Sequence, residues 1–271
     1  MKVAHIRLPL RMAGAGWRWR WALRSAARLV LVFCLAVTVW TWHLSRVDAR
    51  RQGRDAFEQI AGQVTQAVHD RMRAYEQVLR GAVGLFLAAG EVTRRDWRIY
   101  VENLALDKSY PGIQGVGFAR LIASAGREAH IRQVRAEGFA DYTLWPAGER
   151  DIYTAIVYLE PFDWRNRRAF GYDMFSEPVR RAAMERAWYS GRTAVSGKIT
   201  LVQETGRDPQ TGFLMYLPLY AADRPLASEA QRRAALRGWV YSPFRLDDLM
   251  QGILGRQLAN VALEIHDGGE A

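Results

Sequence analysis

The chain has 271 residues, of which 49% are hydrophobic, 24% charged and 11% aromatic. This composition excludes an intrinsically disordered chain and suffices for one large domain or two modest ones. The formal net charge is +10 and the pI is about 10.1, but seven basic residues lie before the apolar segment, with no acidic residue among them, and account for +7 of that charge: Lys2, Arg7, Arg11, Arg18, Arg20, Arg24 and Arg28. The rest of the chain is nearly balanced, so we predict no nucleic-acid partner.

The first predicted element is a transmembrane helix at residues 29–45, because residues 29–44 carry no charge. With residues 25–28 the segment approaches the roughly 20 residues that a membrane-spanning helix needs. Trp40 and Trp42 lie at its end, as in an aromatic belt. The basic tail, residues 1–28, is predicted to stay in the cytoplasm, which makes this a single-pass inner-membrane protein with a periplasmic or extracellular remainder. A cleaved signal peptide and a buried helix of a soluble protein are the alternatives.

Residues 46–90 are predicted to form a long stalk helix. Apolar residues recur at spacings of three and four along one face: Phe57, Ile60, Val64, Val68, Met72, Tyr75, Leu79, Ala82 and Phe86. The first half has charges around the other faces, as in a coiled coil, and we expect homodimerisation through this helix. Residues 78–89 are apolar on more sides and are expected to be buried against a domain, and Gly90 fits a C-cap. An ordinary long core helix is the alternative.

Residues 91–271 are predicted to form the folded sensor, of class α+β. Thr93 fits an N-cap, with Asp96 three residues later, for a helix that reaches about residue 106. Further helices are expected at residues 128–137, 177–190 and 244–254. Strands are expected at residues 114–122, 142–145, 152–159, 193–203, 212–220, 238–242 and 261–266. Strands in adjacent pairs between groups of helices indicate an antiparallel sheet with helices on one side.

The sequence offers few catalytic groups. Its five histidines show no pair at the spacing of a helix-borne metal site, and its sole cysteine, Cys34, lies in the apolar segment. There is no G-x-S-x-G motif, and the adjacent carboxylates of Asp247 and Asp248 point to different sides of a helix. We therefore predict that the chain is not an enzyme and has no metal and no cofactor.

Residues 158–220 resemble a known family. The matching pieces are Leu159-Glu160-Pro161, Asn166-Arg167, Phe170-Gly171-Tyr172-Asp173-Met174, Ser176-Glu177-Pro178, residues 180–184, Ser196-Gly197-Lys198 and residues 212–220. Their order resembles the CHASE domain, the extracytoplasmic sensor module of bacterial receptors and of plant cytokinin receptors. The resemblance extends over residues 73–267. It implies two stacked PAS-like subdomains with antiparallel sheets, behind a long helix that continues the transmembrane segment.

The resemblance also implies a ligand site. In the cytokinin branch of the family an aspartate accepts hydrogen bonds from the ligand, and Asp173 stands at that position here. The resemblance places Val195 at a nearby backbone contact. The other expected ligand-binding residues are Phe170, Tyr172, Met174, Thr200, Leu201, Met215 and Leu217. The alternative is structural: Asp173 caps a helix that begins near Ser176, or pairs with an arginine.

We expect the protein to be a membrane-anchored sensor of an unknown small molecule. In the family such a domain continues into a second transmembrane helix and a kinase, diguanylate cyclase or phosphodiesterase, none of which follows in these residues. The chain is thus expected to be a fragment or to act through a partner. The alternative is a membrane-tethered periplasmic binding or assembly protein without signalling output.

Overall fold

The computed structural model describes residues 15–204 and 210–255, and its first element is a single helix, α1, at Ala15–Ala89. The chain divides into two compact units, Met1–Gln63 and Val64–Ala271. In the first unit the large apolar side chains of residues 29–44 are exposed, such as Leu29 (71%) and Trp40 (68%). Among the described residues, one segment is long and apolar enough to cross a membrane. It lies in α1 within Arg28–Ala89 and has a mean hydropathy of 1.5.

The last part of α1 is buried, as the apolar pattern predicts. Tyr75, Leu79 and Ala82 are fully buried and Phe86 is 6% exposed. Gly90 ends the helix in the left-handed conformation, with φ of +70°, and its N–H donates to the Phe86 carbonyl. The C-cap prediction is confirmed, because glycine adopts this φ without the steric penalty of a side chain.

Three helices follow around the first strand. They are α2 at Arg94–Leu104, α3 at Leu106–Ser109 and α4 at Arg127–Ala136. Thr93 caps α2, because its hydroxyl accepts from the Asp96 N–H, and the Asp96 carboxylate accepts from the Thr93 N–H over 3.0 Å. The predicted N-cap is thus confirmed as a full capping box.

The described strands form one antiparallel sheet. They are β1 at Val116–Ala123, β2 at Ile152–Glu160, β3 at Ala194–Val195, β4 at Ile199–Thr200, β5 at Thr211–Tyr220 and β6 at Leu236–Arg245. The strand order is β2-β1-β6-β5-β3, and β4 also pairs with β5. In the central pair Tyr216 lies opposite Tyr241.

The sheet is covered on both faces, not on one face as the sequence pattern suggested. Successive residues of β5 alternate between two cores: Met215 and Leu217 pack with α1, whereas Leu214 and Tyr216 pack with α5, at Pro178–Ser190. This alternation follows from the two-residue period of a strand. The remaining helices are α6 at Glu229–Ala235, which the sequence pattern missed, and α7 at Leu246–Leu254.

Two strand predictions need correction. Residues 142–145 form no strand; Trp145 makes only an isolated bridge to Tyr172, and Tyr142 and Leu144 are buried without a ladder. Residues 193–203 form the two short strands β3 and β4 instead of one. The strand expected at residues 261–266 lies outside the described residues. The described residues form one mixed α+β fold, and the division into two PAS-like subdomains stays a prediction.

Candidate ligand-binding site

Asp173 lies in a short segment held between the outer edge of β2 and Trp145. The Gly171 N–H donates to the Ile156 carbonyl over 3.0 Å, and the Ile156 N–H donates to the Tyr172 carbonyl over 3.1 Å. On the other side, the Asp173 N–H donates to the Trp145 carbonyl over 2.7 Å. These backbone bonds place the Asp173 side chain at the edge of the sheet, where it is fully buried.

The two oxygens of the Asp173 carboxylate have different surroundings. Oδ1 accepts from the Thr154 N–H (2.8 Å), the Thr154 hydroxyl (3.0 Å) and the Phe175 N–H (3.2 Å). The last of these bonds caps a 3-10 helix at Met174–Ser176. Oδ2 lies 3.4 Å from Arg150 Nη1 and has no hydrogen-bond partner within the described residues. The carboxylate therefore has both a capping and an ion-pairing role, and Oδ2 keeps free acceptor capacity.

Three of the predicted site residues pack together on the α5 side of the sheet. Tyr172, Met174 and Leu201 line a void of about 10 Å³, together with Leu214 and Tyr241. A void of this size holds about one water molecule. In this conformation the residues form a packed core, and a ligand of drug size needs a displacement of α5 or of the segment around Tyr172.

Arg180 is a buried cation beside this core and was not among the predicted site residues. It is 5% exposed, and its Nη2 donates to the Thr200 carbonyl over 2.8 Å. Its guanidinium carbon lies 5.3 Å from the centre of the Tyr172 ring. The spacing of Arg180 from the buried Ala183 and Met184 on the same helix places it on the inward face of α5, and this spacing was the available sequence signal.

The other predicted residues lie elsewhere. Met215 and Leu217 belong to the core on the opposite face of the sheet, next to α1, and Phe170 packs against that core. Val195 is 38% exposed on β3. Thr200 is exposed on β4, and its carbonyl accepts the bond from α5. The structure thus brings together part of the predicted set and distributes the rest over the other face and the surface.

A cavity of about 560 Å³ lies on the α1 side of the sheet. It is bounded by the end of α1, the loop into α2, the start of α2, α4 and residues of the strands β1, β2, β5 and β6. Its apolar lining consists of Phe86, Val92, Phe118, Val134, Val157 and Leu219. Its polar lining consists of Glu91, Thr93, Arg94, Arg95, Arg120, His130, Gln133, Glu137, Tyr158 and Arg237. The sequence pattern gave no indication of this cavity, because its walls come from distant segments.

Most charged side chains of the cavity lining are arginines, and its histidine is neutral. Arg94 pairs with Glu137 over 2.8 Å. His130 is 6% exposed, and its Nε2 lies 2.9 Å from the Tyr142 hydroxyl. Burial, and then the positive charges of Arg120 and Arg94, lower the pKa of His130 from 6.5 to about 4. The imidazole is therefore neutral near pH 7.

Comparison with protein families decides the assignment. The family model of the CHASE domain matches residues 90–271, two thirds of the chain. The chain belongs to the CHASE domain family. No curated protein matches the chain. The family is a sensory module of extracytoplasmic type and not a catalytic one, and the apolar α1 segment fits a membrane location.

In this CHASE domain the motif residues extend from β2, at one edge of the sheet, through α5 to β3 and β5 at the other edge. The Phe170–Met174 segment lies at the β2 edge, and Glu177 caps α5 by accepting from the Val179 and Arg180 N–H groups, both over 2.9 Å. Within the described residues, no group of three or more His, Cys, Asp or Glu side chains is placed to hold a metal ion.

Proposed function

We propose that the chain is the membrane-anchored, extracytoplasmic ligand-sensing part of a signal-transduction receptor. The observation that carries this proposal is the CHASE match over residues 90–271, which begins where α1, the helix with the apolar segment, ends. The basic residues before the apolar segment favour a cytoplasmic N-terminus and a periplasmic or extracellular sensor.

The signal would pass along α1. This helix carries the apolar segment, and its last turns contribute Tyr75, Leu79 and Phe86 to the core against the sheet. A ligand that binds two arrangements of this core with different affinity would change the population of the two arrangements. A change in the packing of α1 would then reach the membrane.

Dimerisation through the stalk is supported by apolar residues that the described chain leaves exposed. Phe57 is 62% exposed and Ile60 is 42% exposed, one helical turn apart on α1. A second copy of the helix would cover them by coiled-coil packing. We expect cysteines at residue 60, in a Cys34→Ser background, to form an intermolecular disulfide in membranes, and cysteines at Arg51 to cross-link less.

The Asp173 neighbourhood remains our proposed contact for a small-molecule ligand, because Oδ2 is a buried acceptor with free capacity. A thermal-shift screen of the full chain in detergent, with purines, amino acids and carboxylates, tests the sensing function. We expect at least one class to raise Tm and to change the cross-linking at residue 60. An Asp173→Ala variant that keeps its fold and its ligand affinity would refute the contact.

The alternative is a membrane-tethered binding or assembly protein. It differs in its genetic context and in its response to ligand. A reading frame that continues into a second apolar span and an output domain supports the receptor, whereas ligand binding without any change in stalk cross-linking favours the alternative.

A further inference from the structure

We propose that the 560 Å³ cavity beside α1 binds a small organic anion, a carboxylate with an apolar or aromatic body. This site lies on the opposite face of the sheet from the Tyr172 core. The proposal deepens the sensing function by naming a ligand class, and it rests on that function for its signalling consequence only.

The charge of the cavity lining favours an anion. Four arginines and two glutamates line the cavity, and the Arg94–Glu137 ion pair accounts for one residue of each sign. The remaining charged residues of the lining are one acid, Glu91, and three arginines, Arg95, Arg120 and Arg237. Arg120 is half-buried, and within the described residues its guanidinium group makes no hydrogen bond or salt bridge. A carboxylate accepts two parallel bonds from a guanidinium group, so an arginine in this state is suited to an anion.

A buried polar atom of the lining, Nδ1 of His130, also favours a bound acceptor. His130 lines the cavity and is 6% exposed, yet its Nδ1 has no hydrogen-bond partner in the part of the chain described. When the Tyr142 hydroxyl donates to Nε2, the proton of the neutral ring resides on Nδ1. Nδ1–H is then a donor without an acceptor, and a bound carboxylate would supply the acceptor.

The apolar wall of the cavity favours an organic anion over inorganic phosphate. Phe86 and Phe118 pack with their ring centres 4.6 Å apart, and Tyr158 lies beside them in the lining. The Tyr158 hydroxyl donates to the Val92 carbonyl over 2.9 Å and so fixes the loop that lines the cavity between α1 and α2. The volume falls in the range of roughly 300–1,000 Å³ that is typical of small-molecule sites.

The site also touches the helix that would carry the signal. Phe86 belongs to the last turn of α1, and Gly90 terminates it. An anion between these residues and Arg120 of β1 would bridge α1 and the sheet. Its binding would therefore depend on the position of α1, which is the differential affinity that coupling requires.

Isothermal titration of the full chain in detergent micelles tests the proposal, with benzoate, its neutral counterpart benzamide, and inorganic phosphate as probes. We expect benzoate to bind, and benzamide and phosphate to bind at least tenfold more weakly. Arg120→Gln should weaken benzoate binding at least tenfold, and His130→Phe should also weaken it. Arg132→Gln is the matched control, since Arg132 is exposed on α4 and does not line the cavity.

Three results would overturn the assignment: no benzoate binding up to about 10 mM, equal affinity for benzamide or phosphate, or equal benzoate affinity in Arg120→Gln and the unmodified chain. Cross-linking at residue 60 separates this site from the sensing function. Benzoate binding that depends on Arg120 but leaves cross-linking unchanged supports the site and contradicts its signalling role. A cross-linking response to another ligand, without benzoate binding, overturns the site and leaves the sensing function standing.

Discussion

Replacing Asp173 by alanine tests the structural role of the buried carboxylate. The substitution removes the acceptor of the Thr154 N–H, for which Oδ1 is the hydrogen-bond partner on this edge of β2. The Phe175 N–H keeps a second acceptor, the Thr154 hydroxyl at 2.9 Å. Arg150 loses its carboxylate neighbour at 3.4 Å. One orphaned buried donor and the lost charged bonds together cost about 3–5 kcal/mol of unfolding free energy.

Thermal unfolding of the full chain in detergent, followed by tryptophan fluorescence, measures this loss. For a domain of this size we expect Tm to fall by about 6–20 °C. Asp173→Asn keeps an acceptor at Oδ1 but turns an amide towards Arg150, so it should cost about 1–2 kcal/mol. Asp141→Ala is the control, because Asp141 is exposed. Equal Tm values for Asp173→Ala and Asp141→Ala would refute the reasoning.

Two further predictions concern the same region and the histidine of the cavity. Gly171 has φ of +78°, and a Cβ there would clash with the Thr143 carbonyl oxygen, so Gly171→Ala should cost more than about 2 kcal/mol of unfolding free energy. Gly126→Ala is the control and should cost less than about 1 kcal/mol, because a Cβ there makes only an ordinary contact, at 3.7 Å, with the Ile122 side chain. Equal Tm values for the two variants would contradict this. The pKa of His130 is about 4 in the folded chain and about 6.5 when exposed. Between pH 4 and pH 6.5 the unfolded chain therefore binds more protons than the folded chain. The contribution of neutral His130 to the unfolding free energy is complete above pH 6.5, and it falls by up to about 3 kcal/mol as the pH drops towards 4. We expect the Tm of His130→Asn to fall less than the Tm of the unmodified chain between pH 7.5 and pH 4.5. Identical pH profiles of Tm for the variant and the unmodified chain would show that His130 does not cause the loss of stability.

Local signals predicted the ends of helices well. The helix ends are fixed by hydrogen bonds to backbone groups within three or four residues, made by Thr93 with Asp96, by Glu177 before Pro178, and by Gly90. Their geometry therefore depends on nearby sequence only. The prediction at residues 142–145 failed because apolar alternation reports burial and not hydrogen bonding. Tyr142 and Leu144 are buried, but the Tyr142 N–H donates to the Phe139 carbonyl in a turn and the Tyr142 carbonyl accepts from the Arg135 side chain, so neither group pairs with a strand.

The layering of helices was predictable from the strands themselves. Residues 213–219 of β5 are apolar at every position, and β6 is buried along nearly its whole length. Such continuous runs are typical of a sheet covered on both faces, whereas a sheet with one covered face alternates. The prediction of helices on one side followed the order of elements and overlooked this composition.

The candidate sites were less accessible to sequence reasoning. The family resemblance indicated Asp173, but its three donors come from residues 154 and 175, which the backbone brings together. The cavity combines the end of α1 with β1, α4 and Arg237 of β6. No periodic pattern relates positions so far apart, and only the fold shows that Arg120 and His130 line the same space.

Cysteine labelling of intact cells tests whether the sensing domain lies outside the cytoplasm, on which its proposed function depends. Cys34 is the sole cysteine, so Cys34→Ser gives an unlabelled background. A cysteine at Ala147, in an exposed loop of the sensing domain, is compared with one at Ala4 in the basic tail. We expect a membrane-impermeant maleimide to label Ala147→Cys in cells whose outer membrane alone is permeabilised, and to label Ala4→Cys only after lysis. Labelling of Ala147→Cys only after lysis would contradict this expectation.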